Sequence, residues 1–347
     1  MNKNFLKTIA FLCLSWPVLL FATESTGTGS MVPVPLIKAW NDAYVQRFPL
    51  SNIKYNGSNP ADGIKKVVGK EVDFSTIDMP LSLEELKKDN LFQFPFVLGG
   101  IAPIVNLPNV YQGQFRLDAQ AMGDIFLGKI KKWNDPALVA LNPDIELPDA
   151  GIIIVHRISP PGISTIIGDY LAKNNPQWKA LKGDGMAGAW PASAIEVKDP
   201  IENIQMIKKT VYSIGYGPIP QIMKNGLNYA QVRNKAGKYV SPGDLNISAA
   251  AENAKWDESK GFDVVLTDQP GETTWPLTFA DFVIMRKVSP RQAQSKDVLT
   301  FFKYNLKNSG LRTFKNDFIP LPDSVIKIIV PSLSSIVDEQ GVQILKQ

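Results

Sequence analysis

The chain has 347 residues, with 37 Lys and Arg against 33 Asp and Glu, and its net charge of +4 is spread without any basic block, which leaves nucleic-acid binding unsupported. One cysteine and one histidine exclude thiolate clusters and multi-histidine metal sites, and leave a serine–histidine triad nearly untenable. The length suggests two domains, with enough apolar surface to fold without disulfides.

The first residues read as an export signal. Lys3 and Lys7 precede an apolar run over 11–22 (FLCLSWPVLLFA), well short of the roughly 20 residues that a membrane-spanning helix needs. Small and polar residues follow at once, so cleavage is expected near Ala22, and the signal peptide is assigned to 1–22. An uncleaved anchor is the competing reading, and the short run opposes it. Cys13 leaves with this segment; Leu12 before it does not suit lipidation. No later segment approaches membrane-spanning length, so the mature part is expected to be soluble, periplasmic or secreted, with no metal or cofactor.

Beyond the signal, short β-type runs alternate with helical periodicity, an α/β pattern. Residues 36–48 predict a helix, 53–55 a short strand, 63–68 the start of a helix, and 72–77 (VDFSTI) a buried strand. Ser82 followed by Glu85 is a capping pattern that opens a helix over 82–89. Residues 95–106 (PFVLGGIAPIVN) read as a long apolar strand broken at Gly99 and Gly100. A helix is expected over 117–127. The β-branched strand 152–155 feeds through Ser159 and Gly162 into a helix over 163–172. Strands over 263–267 and 280–286 and an amphipathic helix over 292–306 complete the reading. Gly237, Pro242 and Gly243 make 235–244 a surface loop or hairpin, not a domain boundary.

At 123–136 the sequence GDIFLGKIKKWNDP resembles the signature of the periplasmic phosphate-binding proteins that feed the Pst-type ABC importer. The resemblance runs along nearly the whole mature chain. It takes in Gly27, Gly29, Pro33 and Pro35, then Val72-Asp73-Phe74 leading to Asp78-Met79-Pro80. Gln93-Phe94-Pro95, His156-Arg157, Ser213-Ile214-Gly215-Tyr216, Trp275-Pro276-Leu277 and Pro320-Leu321-Pro322 follow in the family's order. It implies a two-lobed α/β binding-protein fold of type II. One lobe would comprise 23–98 plus 276–347 and the other 105–265, with hinge strands near 96–106 and 272–286. It also implies a monomer that delivers phosphate to the permease subunits of an ABC importer.

A tetrahedral oxyanion in such a cleft is held by backbone N–H groups at helix N-termini, hydroxyls and an arginine. A carboxylate beside it accepts the hydrogen of a protonated oxyanion and repels an unprotonated one. Asp78 and Arg157 match the family's aspartate and arginine. His156 should point away from Arg157 by strand alternation and act in packing. The rest of the pattern departs from the family. After Ser30 stand Met31 and Val32, where only backbone N–H groups remain to serve a ligand. Pro60 follows Ser58 and Asn59 where a serine is usual, and the third loop reads Ser159-Pro160-Pro161-Gly162-Ile163 before Ser164. Met31, Pro60, Pro161 and Ile163 thus replace hydroxyls, and the prolines also lack an N–H. Losing four such bonds costs on the order of 6 kcal/mol if nothing replaces them, roughly 10⁴-fold in affinity. Ser58, Asn59, Ser159 and Ser164 are the available substitutes, with the N–H groups of Gly162 and Ile163. Asp62 is expected to cap its helix.

Three functions remain in view. The first is a receptor for phosphate or a related oxyanion. A second keeps the fold, with an eroded pocket, as a secreted or envelope interaction protein. A weak phosphomonoesterase is the third, against which stands the want of a metal cluster or a histidine-activated serine.

Overall fold

The computed structural model describes residues 23–158, 163–182, 190–198 and 200–346. The signal segment with Cys13, and the loop residues Ser159, Pro161 and Gly162, lie outside the described residues. Among the described residues no helix is long and apolar enough to cross a membrane.

One curled sheet organises the chain. Strand Thr23–Gly29 lies parallel to Ser51–Gly57 on one side and to Phe74–Ile77 on the other. Phe74–Ile77 pairs antiparallel with Thr278–Arg286, which pairs antiparallel with the first part of Leu91–Asn106. The second part of that long strand pairs antiparallel with Ser213–Pro218, followed in parallel by Ile153–Arg157 and Ile195–Val197. The sheet therefore has two halves, and Leu91–Asn106 belongs to both. This is the expected α/β architecture of a two-lobed binding protein.

The long strand is not broken at Gly99 and Gly100 as expected; it runs unbroken from Leu91. The glycines serve side-to-side approach instead. A Cβ on Gly99 would lie 2.3 Å from the ring of Phe279, and one on Gly100 would lie 2.4 Å from Ile219. Pro95, which has no ladder hydrogen to give, is accommodated by a register shift opposite Asp281 and Phe282.

Elsewhere the elements follow their local chemistry. Helix Val34–Arg47 buries Leu36, Ile37, Trp40 and Tyr44, and Trp40 packs edge-on against Phe96, Phe301 and Phe302. Phe301 and Phe302 come from the long helix Gln292–Asn308. The capping box at Ser82 and Glu85 is formed. Residues 263–267 make no strand, a correction to the sequence reading. Phe262 and Asp268 at either end turn the chain with φ of 52° and 56°, which takes the segment out of extended pairing. Thr23–Gly29, which carries Gly27 and Gly29, forms an edge-proximal strand of the sheet. The 235–244 segment forms a hairpin, with Gln231–Arg233 against Tyr239–Val240 and Gly237 at φ 77°.

The signature 123–136 is scaffold. Asp118 caps helix Ala119–Phe126, and Gly123 sits so close to Asn175 that a Cβ would lie 2.4 Å from its amide nitrogen. Trp133 is fully buried and donates its ring hydrogen to the Tyr212 carbonyl at 3.0 Å, while Asp135 caps helix Pro136–Leu141.

Candidate functional site

Four strand ends meet at one cleft of about 750 Å³, lined by Ser30, Ser58, Asp78 and Arg157 among others. Ser30 follows strand Thr23–Gly29, Ser58 follows Ser51–Gly57, Asp78 follows Phe74–Ile77, and Arg157 ends Ile153–Arg157. These are carboxyl ends of parallel strands, where α/β folds place ligands. The helices Val34–Arg47, Pro60–Val68 and Ile163–Asn174 begin beside them, so positive helix ends border the cleft. The first half of the sheet contributes Ser30, Ser58 and Asp78, and the second contributes Arg157 and Ser164. The sequence reading expected these residues together, and the fold assembles them. Gly162 and the side chain of Ile163 fall outside the described residues, as do Ser159 and Pro161.

The first loop is internally braced. Ser30 donates its N–H to the Thr76 carbonyl at 2.9 Å, and Val32 donates its N–H to the Ser30 hydroxyl at 3.1 Å. The Val32 N–H is thus engaged within the loop. Tyr55 donates its hydroxyl hydrogen to the Ser30 carbonyl at 2.7 Å and meets the Thr76 hydroxyl at 2.6 Å. Met31 lies 65% exposed over Gly57, where a Cβ would come within 2.4 Å of its sulfur.

Hydroxyls at the second loop are also engaged. Thr28 gives its hydrogen to the Asn56 carbonyl at 2.7 Å and lies 2.8 Å from the Ser58 hydroxyl, which also reaches the Asn59 carbonyl at 3.3 Å. Asn59 caps helix Pro60–Val68 by accepting the Ala61 N–H at 2.8 Å. Asp62 is thus not the cap; it stands exposed in the first turn, where its charge suits the positive helix end. Gly63 lets this helix lie against the first strand, a Cβ there falling 2.9 Å from the Gly29 Cα.

Asp78 is only 7% exposed, and burial pushes its carboxyl above the usual range, opposed by the Ser30 hydroxyl and the Asp281 carboxyl beside it. Across the cleft, Tyr216 lies against Arg157 and donates its hydroxyl hydrogen to Ser164 at 3.2 Å. Burial raises the Tyr216 phenol, while the Arg157 charge opposes that rise. His156 stacks on Trp190 with ring centroids 3.9 Å apart, its Nε2 3.5 Å from Glu196, and burial lowers its pKa. That is the packing role expected of it. Among the described residues no cluster of three or more His, Cys, Asp or Glu is placed to hold a metal ion.

Several cleft residues escaped the sequence reading: Tyr55 and Tyr216 behind the walls, Lys224 and Asp317 at the rim, and above all Asp281. Asp281 sits within the apolar strand TFADFVIMR and is fully buried. A carboxylate inside such a run was the available signal.

A mixed α/β sheet in two halves, with loops gathered in one cleft at its strand ends, defines the binding-protein class, and residues 22–302 match the model of the PBP superfamily domain. A phosphate-binding protein PstS from Pasteurella multocida is 35% identical over 92% of this chain and 93% of its own length. The chain belongs to the PstS family of that superfamily. Among solved structures, a phosphate-binding protein from Stenotrophomonas maltophilia superposes with a TM-score of 0.67 at 19% identity, covering 90% of this chain and 94% of that one. An ABC-type phosphate transport receptor from Vibrio cholerae gives 0.59 at 15% identity, covering 86% of this chain and all (100%) of that one. At these identities the likeness establishes the fold.

Proposed function

We propose that this chain is an exported receptor that captures inorganic phosphate, or a related tetrahedral oxyanion, between two lobes and hands it to the permease subunits of an ABC importer. The observation that carries this reading is that Asp78 and Arg157, from opposite halves of the sheet, line one cleft bordered by three helix N-termini. An anion there gains a guanidinium, positive helix ends and a carboxylate ready to accept its acidic hydrogen. The names of the relatives favour phosphate as that anion. The lobes would be 23–98 plus 276–347 and 105–265, closing as a monomer about hinge strands near 96–106 and 272–286. Cleavage near Ala22 would release the mature chain to the periplasm or beyond.

Calorimetry and thermal unfolding test this with phosphate, sulfate and arsenate. Micromolar phosphate should raise the melting temperature, and Arg157→Ala should abolish the rise. No response to millimolar phosphate would exclude the reading.

One observation favours the interaction-protein alternative. Met31 and Pro60 present apolar surface where the family has hydroxyls, the Ser58 hydroxyl is engaged with Thr28, and Val32 gives its N–H to Ser30. Unchanged phosphate uptake on deletion of the gene, with the protein found in the culture medium, would favour that alternative.

A further inference from the structure

Asp281 lies beside Asp78. The antiparallel pairing of Thr278–Arg286 with Phe74–Ile77 ends at Phe282 with Ile77, and Asp281 and Asp78 are the residues next to that last pair. Their carboxyls are buried side by side, near enough for one to influence the other's ionisation. Among the described residues, no N–H or O–H reaches either oxygen of Asp281 or Oδ1 of Asp78. Two carboxylates have no hydrogen to share, so the contact becomes a bond only when one of them is protonated. Asp281 is fully buried, whereas Asp78 lines the cleft and has the Ser30 hydroxyl beside it. The proton therefore belongs on Asp281.

We propose that Asp281 is a specificity-determining residue: it holds a proton that it donates to Asp78, keeping Asp78 an ionised acceptor for the hydroxyl of a protonated tetrahedral oxyanion. This rests on the receptor reading above and adds to it a second carboxyl that never touches the ligand. Burial raises Asp281 well above the usual carboxylate range, and the charge of Asp78 adds to that rise. Other groups face the pair without replacing it. The Tyr55 phenol is near enough for both carboxyl charges to oppose its ionisation, but its hydroxyl is engaged by Ser30 and Thr76. Arg157, Lys224, Lys315 and Asp317 share the cleft with Asp78.

Discrimination follows from where the proton sits. With Asp281 as donor, Asp78 stays charged despite its burial, accepts a P–OH hydrogen and repels a fully ionised anion. Without that donor, burial favours a protonated Asp78, which would itself donate to any oxyanion, sulfate included. Asparagine keeps a donor at this place and leucine does not.

The test measures phosphate and sulfate affinities of the wild type, Asp281→Asn and Asp281→Leu near neutral pH by calorimetry. The phosphate-to-sulfate preference should stay within about threefold of wild type in Asp281→Asn and fall about tenfold or more in Asp281→Leu, the scale of one pKa unit. A purely structural role would move melting temperatures and leave that ratio alone. An unchanged ratio in Asp281→Leu therefore overturns the proposal, as does a wild type with no preference for phosphate. Infrared spectroscopy supplies a readout that needs neither ligand nor the leucine variant. The carbonyl stretch of a buried protonated carboxyl should be present in the wild type at neutral pH and absent from Asp281→Asn, and a wild type without the band overturns the proposal. A band with no phosphate binding would overturn the receptor reading and the specificity role with it, while leaving the protonated pair in place.

Discussion

Lys224 and Asp317 form an ion pair across the cleft, joining the helix after strand Ser213–Pro218 to the turn before strand Ile319–Pro320. The first belongs to one half of the sheet and the second to the other, since Ile319 and Pro320 pair with Leu98 and Val97 in the first part of the long strand. Both residues line the cleft that holds Asp78 and Arg157. The pair thus links the two halves of the sheet at that cleft.

Its strength is limited by exposure, the side chains being 65% and 42% accessible. Exposed pairs contribute about 0–1 kcal/mol and are screened by salt. Asp317→Asn should therefore weaken phosphate binding by no more than about fivefold at low ionic strength. The difference from wild type should shrink as salt is added. Calorimetric titrations across a salt series check this, and a large salt-independent loss would mean that Asp317 acts on the ligand itself.

The missing hydroxyls give a prediction in the direction of gain. Met31 is exposed at the cleft and Pro60 begins a helix whose cap, Asn59, is already satisfied. Met31→Thr places a hydroxyl at the first loop, and Pro60→Ser restores both a hydroxyl and an N–H at the second. Each new bond to a charged ligand is worth roughly 1.5–3 kcal/mol before the cost of ordering it. Either variant should tighten phosphate binding by about tenfold, with the proline replacement losing a few tenths of a kcal/mol in stability. Titration of both variants against phosphate provides the check; unchanged affinity would mean that the anion is held away from these loops.

The contrast between Asp78 and Asp281 marks what a sequence discloses. Asp78 was legible because it follows a buried strand and opens a turn ending at Pro80, a local pattern matched to a family. Arg157 was legible for the same reason at the end of its strand. The fold class followed from alternation of strand and helix patterns, and its boundaries were mostly set by caps and prolines visible in the sequence. Asp281 stands some 200 positions away, and nothing local says which residue lies beside it; only the register of Phe282 on Ile77 does that. Ser58 differs again. Its hydroxyl is visible in the sequence, but its contact with Thr28 is set by the pairing of two neighbouring strands, which no local pattern reports. The strand over 263–267 was lost because periodicity does not report the left-handed backbone at Phe262 and Asp268.

Asp281 also sets a slope in stability against pH. In the unfolded chain its carboxyl ionises near the ordinary value of 3.8, whereas in the folded chain burial holds the proton to well above that. Between those two values the folded state binds one proton more than the unfolded state. Stability is then greatest below the unfolded pKa and falls as pH rises, by up to about 1.4 kcal/mol per pH unit, until the folded pKa is reached. Asp281→Asn removes that proton from the balance, and an amide can still donate to Asp78. The variant should consequently lose stability less steeply than wild type as pH rises above 3.8, and should be the more stable protein at neutral pH. Other raised carboxyls such as Asp268 and Asp297 are common to both proteins and cancel in the difference. Urea unfolding of wild type and Asp281→Asn from mildly acidic to neutral pH measures this directly. Parallel stability curves would mean that Asp281 is ionised in the folded protein.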